Sequence, residues 1–377
     1  MVCYRSCSYR GALRFRRPKP PLEDDEHGQE RPCGPREKYV VLSYLKTYWF
    51  FAGIAVVVAI AFVFPSVGVF LKARGILSAA IFLGFLITGL TLETSRIGEQ
   101  IKNIRVLAAA LVSSLVIFPA IAYFLACQVF AAPPDWAIGV LIIGAAPVTI
   151  ASGTIMTAIA LGNIPLSLFI CLLTNLAAIL TIPILLNLFL QFGDTPITLP
   201  AVQMLSGLTI KVLVPTAVGQ LLRPLLKKAL APFGKAFSIF NQIIVLMIVL
   251  NAVASSTTRI AQAGTGIAAI FMFVIVLHML ILALNYGLAR MIRLDRASTS
   301  AFTIHTSQKT LTVSYIVWAG HFAALYPMAL IPAIAYHITQ SVVDTLVAHH
   351  FRNRMRADPC PAGGGRIDAQ TACDACR

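Results

Sequence analysis

The chain is a succession of long apolar runs punctuated by charged residues. No Asp, Glu, Lys or Arg occurs in the 25 residues between Lys46 and Lys72, the 18 between Arg74 and Glu93, the 29 between Arg105 and Asp135, or the 58 between Asp135 and Asp194. A membrane-crossing helix needs about 20 apolar residues at a rise of about 1.5 Å each, so the last run predicts two spans. Further runs lie around Leu199 to Leu222, over 23 residues after Lys235, 30 after Arg259 and 34 between Lys309 and Asp344. With the segment around Lys309 itself, the pattern predicts ten spans.

Two spans are interrupted in their middles. Span 4, "GVLIIGAAPVTIASGTIMTAIALGN", carries Gly144, Pro147, Thr149, Ser152, Gly153 and Thr154 there. Proline removes a helix donor, and non-helical backbone at membrane depth is tolerated only inside protein or beside a watery cavity. The stretch is therefore a candidate ligand site, with a kinked packing helix as the plainer alternative. Span 9 contains "FTIHTSQKTLTVSY", almost continuously polar through His305, Thr306, Ser307, Gln308, Lys309, Thr310 and Thr312. No lipid-facing helix could carry it. Spans 4 and 9 hold corresponding places in two halves of five spans, and because five is odd the second half enters the membrane upside down. Paired interrupted helices in an inverted repeat point to a secondary transporter's site.

Composition and charge add orientation. A chain 58% hydrophobic and 12% charged, with mean hydropathy +0.81, cannot bury that apolar surface in a soluble core. Of its basic residues, 25 fall in the terminal segments and the loops on their side, against Lys72, Arg74 and Arg259 on the other. Cytoplasmic loops are the basic ones, so both termini are expected in the cytoplasm and the chain in a cell membrane, with a bacterial inner membrane the expected setting. The net charge of +15 then reflects topology and implies no nucleic acid, although a bilayer's anionic headgroups are expected partners. Residues 1–42, charged and Pro-rich, and 351–377 are expected to be disordered cytoplasmic segments around a transporter domain at 43–350, with repeats at about 43–193 and 198–350. Cys373 and Cys376 form a Cys-x-x-Cys without a second pair or His at metal spacing, and Cys127 and Cys171 read as buried packing residues. Neither metal centre nor other cofactor is expected. An enzyme is disfavoured, since no Ser-His pair at a helix elbow, Asp pair or His-Glu-x-x-His occurs.

The runs "APVTIASGTIMTAIALGNIPLSLFICLLTNLAAILTIPILL", "VPTAVGQLLRP", "TSQKTL" and "IPAIAYHITQ" resemble the bile acid:sodium symporter superfamily over about residues 45–350, most closely its bacterial and sodium/bile-acid-cotransporter-7-like branch. The resemblance implies a panel of spans 1, 2, 6 and 7, a core of spans 3–5 and 8–10, and broken helices 4 and 9 crossing near the midplane. Ions and an organic anion bind beside that crossing in such proteins. Carried over, Gly153 and Thr154 fall at the span 4 crossover, Ser167 and Cys171 at positions facing one sodium site, Gln308 at a position serving the other, and His337 at a His facing the substrate cavity.

The departures bear on coupling. Sodium-coupled members characteristically carry a glutamate four residues before the span 9 Gln, where this chain has Ile304, and no carboxylate is expected to replace it nearby. Ser114 stands where an amide oxygen is offered, Cys171 where a hydroxyl is expected, and Lys309 where Asn is usual. Sodium wants hard oxygen ligands, so losing the anionic one argues against two-sodium coupling. Thr154, Ser167 and Gln308 remain the oxygens for a sodium ion, and His305, with an ordinary pKa of about 6.5, is the alternative as a proton carrier. Lys309 either occupies the space of a coupling cation, tethering the unwound helix ends, or meets the substrate's anionic group. Lys211, mid-span in the panel, either helps hold an anion or snorkels to the surface, while His278 and His321, the latter expected near the start of span 10, read as structural. The expected function is secondary active transport of a small or amphipathic organic anion by alternating access. A membrane sensor of ion homeostasis on the same fold is the alternative.

Overall fold

The computed structural model describes residues 36–92, 104–130, 134–149, 151–191 and 198–357, with side chains from Trp49 onward except that of Ala151. The terminal Cys373 and Cys376 and most of the two expected tails lie outside these residues. Contacts divide the chain into Met1–Trp49 and Phe50–Arg377, and the site belongs to the second unit.

Every described element is helical. In order they are α1 (Arg36–Val63), α2 (Pro65–Ala73), α3 (Ile76–Thr91), α4 (Ile104–Val112), α5 (Phe118–Val129), α6 (Asp135–Ala145), α7 (Ala151–Ile159), α8 (Ile164–Leu190), α9 (Ala201–Leu208), α10 (Val214–Leu230), α11 (Gly234–Ala254), α12 (Thr257–Ala263), α13 (Gly266–Met291), α14 (Arg296–Ser307), α15 (Leu311–Val317) and α16 (Ile331–Ala357). Single π-turns join α4 to α5 (Ser113–Ile117) and α9 to α10 (Thr209–Leu213), and a third follows α15 (Trp318–Phe322).

Four runs are long and apolar enough to cross a membrane: Ile104–Val129, Ile164–Leu190, Ala201–Ala254 and Gly266–Met291. A fifth is the pair Trp49–Val63 and Pro65–Ala73, bent by 97° where Pro65 cannot donate to the helix before it. The expected continuous first span is therefore bent. In the broken pairs α6–α7 and α14–α15 no half exceeds 12 residues, too short to cross a membrane alone. On α8, Leu176, Leu180, Ile184 and Leu188 form an exposed apolar stripe at four-residue spacing, which suits lipid and not water. The molecule is an all-helical, polytopic membrane protein over the described residues.

Small residues set the helix packing. α3 meets α10 at Gly89 and Gly219, where an added Cβ would stand 2.2 Å from Thr216 O and 2.3 Å from Leu86 O. α2 meets α11 at Gly68, with Ala254 Cβ 2.6 Å from the place of a Cβ. Without a hydrophobic force between helices in lipid, such close backbone approach supplies the dispersion contact that holds them. α2, α3, α10 and α11 pack on one another, α4–α8 pack with α13–α16, and α9, α11 and α15 connect the two groups.

Three expectations need correction. Cys127 is exposed on the face of α5, since its neighbour Ala126 takes the buried side of the turn. His321 lies in the π-turn that ends the α15 run, and α16 starts only at Ile331, because Pro327 and the turns around it separate the two helices. Asp344 lies fully buried inside α16 and does not mark the end of a span.

Candidate functional site

The two broken helices meet at their breaks. α6 ends as Ala146 turns extended, at ψ 151°, and Pro147 follows; α14 ends as Gln308 does the same, at ψ 153°. The unwound segments are joined by a backbone bond from Thr310 N to Pro147 O, 2.9 Å. A helix end buried in protein needs partners for its last carbonyls. Along this break Ala146 O accepts from Lys309 Nζ at 2.9 Å, Val148 O from Asn175 Nδ2 at 3.1 Å, and Thr149 O bonds His305 Nε2 at 2.8 Å. All four carbonyls from Ala146 to Thr149 thus have protein partners.

Lys309 supplies the opposite segment with its anchor. Its peptide is clamped by Gln340, which accepts from Lys309 N at 2.8 Å and donates to Lys309 O at 2.9 Å. Its amine is fully buried, donating to Ser114 O at 2.5 Å and to Ser114 Oγ at 3.2 Å, and lying 4.4 Å from the centre of the Phe118 ring. The Ser114 carbonyl is free for a local reason. In the π-turn Phe118 N bonds Ser113 O instead, and residue 119 is a proline with no N–H to offer.

Hydroxyls and imidazoles fill the remaining space. Gln308 Oε1 accepts from Thr149 Oγ1 and from Ser152 Oγ (3.0 Å), so span 9's amide binds span 4's hydroxyls. Its Nε2 donates to Asp344 Oδ2 at 2.7 Å. His305 sits between Ser167 Oγ, bonded to Nδ1, and Thr149 O, packed where a Gly153 side chain would be, 2.7 Å from Nε2. Ser307 Oγ bonds Thr303 O and accepts from Asn285 Nδ2, which brings α13 into contact with the break.

The structure therefore brings Ser114, Thr149, Ser152, Gly153, Ser167, His305, Ser307, Gln308 and Lys309 together. Thr306 turns its hydroxyl back to Phe302 O, and Cys171 is a buried free thiol beside Asn175. Thr154 is half-buried on α7. His337 stands at the margin, half-buried, bonded to Gln340 and edge-on to Phe50. The expectation that no carboxylate stands near the position of Ile304 fails, because Asp344 reaches Gln308 from α16. A signal was present: Tyr336, Gln340 and Asp344 recur every fourth residue and so share one helix face. Asp344 itself holds His278 Nε2 at 2.9 Å, and His278 Nδ1 bonds Tyr336 Oη at 2.7 Å.

Residues 48–353 match the SBF-like CPA transporter family over most of the chain. The chain belongs to this family. It is a membrane transporter of the bile acid:sodium symporter group. Among its relatives, the "Probable sodium/metabolite cotransporter BASS4, chloroplastic" of Oryza sativa subsp. japonica is 26% identical over 79% of this chain and 74% of its own length. "Sodium/bile acid cotransporter 7" of Mus musculus is 25% identical over 84% of this chain and 95% of its own. The "Uncharacterized sodium-dependent transporter YocS" of Bacillus subtilis is 24% identical over 81% and 91%. In this member of the family the crossing of the broken helices is closed by its own side chains, with a lysine amine on the carbonyl end of α6.

Proposed function

We propose that the chain carries a small or amphipathic organic anion across a cell membrane by alternating access, with no requirement for sodium. In this reading ten helices form two inverted five-helix repeats, both termini are cytoplasmic, α2, α3, α10 and α11 belong to a panel, and α4–α8 with α13–α16 form the moving core. The relatives' names speak of sodium. The observation that carries the departure from them is Lys309, whose amine lies on Ala146 O and Ser114 O and so takes up the carbonyls that an incoming cation would seek. In its ammonium form the amine would also repel that cation, since two unit charges about 4 Å apart interact by roughly 4 kcal/mol at an effective dielectric constant of 20, nearly three orders of magnitude in affinity.

The anion's place is the boundary between the two groups of helices. There Lys211 and His321 line one small cavity with Gly207 and Gly320, between the π-turns at Thr209–Leu213 and Trp318–Phe322. The test is initial uptake of labelled organic anions into proteoliposomes at matched ionic strength, with sodium replaced by a large organic cation. The expected rate is unchanged within about twofold, and a fall of about tenfold, some 1.4 kcal/mol, would restore sodium coupling through Thr154, Ser167 and Gln308.

A further inference from the structure

We propose that Asp344 and His278 are the proton site of this transporter, holding one proton between Asp344 Oδ1 and His278 Nε2 that is loaded and released as the crossing rearranges. The hydrogen-bond pattern counts that proton. Tyr336 Oη has a single hydrogen and donates it to Ser307 O at 2.7 Å, so toward His278 Nδ1, also at 2.7 Å, it accepts, and Nδ1 carries a hydrogen. Gln308 Nε2 donates to Asp344 Oδ2, which is thereby an acceptor. The remaining contact, Oδ1 to Nε2 at 2.9 Å, holds one proton whether the pair is carboxylate with imidazolium or acid with imidazole. Without it a carboxylate would face an imidazole lone pair, both fully buried, an arrangement that the interior disfavours strongly. A rearrangement of the surroundings therefore eases its release.

Gln308 is the means by which they change. One end of its amide bonds Asp344 and the other bonds Thr149 and Ser152 on the opposite broken helix, so a movement of one break against the other alters the partner of the carboxylate. Several other titratable groups of α16 and of the elements packed against it have partners of their own. His305 of α14 has both ring nitrogens matched in its neutral form, by Ser167 and Thr149 O. Tyr315 of α15 bonds Asn251, Asp135 of α6 bonds Met328 N, and His337 of α16 bonds Gln340. Lys309 turns to Ser114 and Ala146, and α7 carries no titratable residue.

Two measurements test this, and only the second rests on the transport reading. Potentiometric titration of the purified full-length protein between about pH 4 and about pH 10 should count one proton more than in Asp344→Asn, an isostere whose amide satisfies both His278 and Gln308 without a proton. Equal counts would overturn the site. In proteoliposomes, an inward gradient of about two pH units, a hundredfold in proton activity, should raise initial uptake of the anion found in the sodium-free assay about fivefold or more. That ratio, taken relative to each variant's own rate without a gradient, should fall to about one in Asp344→Asn and in His278→Gln and recover in part in Asp344→Glu. A gradient response in Asp344→Asn equal to the parent's would overturn the proposal. The extra proton without uptake of any anion would uphold the pair as a proton site and sink the transport reading instead.

Discussion

At the scale of single residues the crossing is organised by side chains that finish what the backbone leaves open. Lys309 has three acceptor contacts and an aromatic face around its amine, and no described carboxylate within ion-pair distance. A buried ammonium costs several kcal/mol in desolvation, and Lys309→Met relieves that while orphaning the acceptors it served, at about 1 to 3 kcal/mol each. The two effects oppose, so folded abundance on gel filtration is expected near normal, while uptake falls at least about tenfold because the ends of α6 and α14 lose their tether. Wild-type uptake by Lys309→Met would make the lysine a bystander. Lys309 was legible in the sequence because an ionisable residue in an apolar setting stands out. Asp344 was harder to place, since it sits eight residues before the first of three arginines and so passes for the first charge of a loop, although it shares a helix face with Tyr336 and Gln340. Only the pairing of α16 with α13 and α14 shows that it points inward.

Among the elements, the interrupted ones carry much of the buried polar network. Both breaks were readable, from Pro147 and its small polar neighbours and from the polar run ending in Gln308, because a helix in lipid has no other use for such residues. The π-turn at Ser113–Ile117 was not readable. Its cause is shared between an ordinary-looking "SSLVIFP" and a lysine 195 residues away that rewards the freed carbonyl. The bend before α2 was likewise hidden, since Pro65 within an apolar run is also compatible with a kinked continuous span. Gly153 gives the test at this scale. His305 occupies the volume next to its Cα, so Gly153→Leu displaces the imidazole from Thr149 O and Ser167, removing two bonds that hold α14 against the break before α7 and against α8. Uptake is expected to be abolished, and the midpoint of thermal unfolding in detergent to fall by several degrees. Gly153→Ala makes the same contact with less bulk and should show an intermediate loss. If Gly153→Leu transports normally, α7 is a packing helix whose break has no role.

The whole molecule divides its work between two sets of helices that differ in what holds them. α3 and α10 meet closely at Gly89 and Gly219, and Gln220 donates across to Gly89 O and Leu92 O, whereas the α4–α8 and α13–α16 set is threaded by many buried hydrogen bonds. Such networks have few alternative arrangements, so the networked set moves as a body or not at all. A link between the sets is Tyr315 Oη donating to Asn251 Oδ1 at 3.0 Å, and Asn251 Nδ2 in turn donates to Gly68 O at 2.8 Å inside the glycine-packed set. Alternating access requires this boundary to open on both faces in turn, and that in turn requires the two repeats to be inverted with respect to the membrane. Topology is therefore the prediction on which the larger reading stands. A reporter fused after His350 should read cytoplasmic, on the side where basic residues outnumber those opposite by 25 to three, and one inserted at Gly264, in the turn between α12 and α13, should read external. An even number of crossings between Gly264 and His350 would place both reporters on one side. That result would end the inverted repeat, because its second half requires three crossings between those points, by α13, by α14 with α15, and by α16, which leave the two reporters on opposite sides.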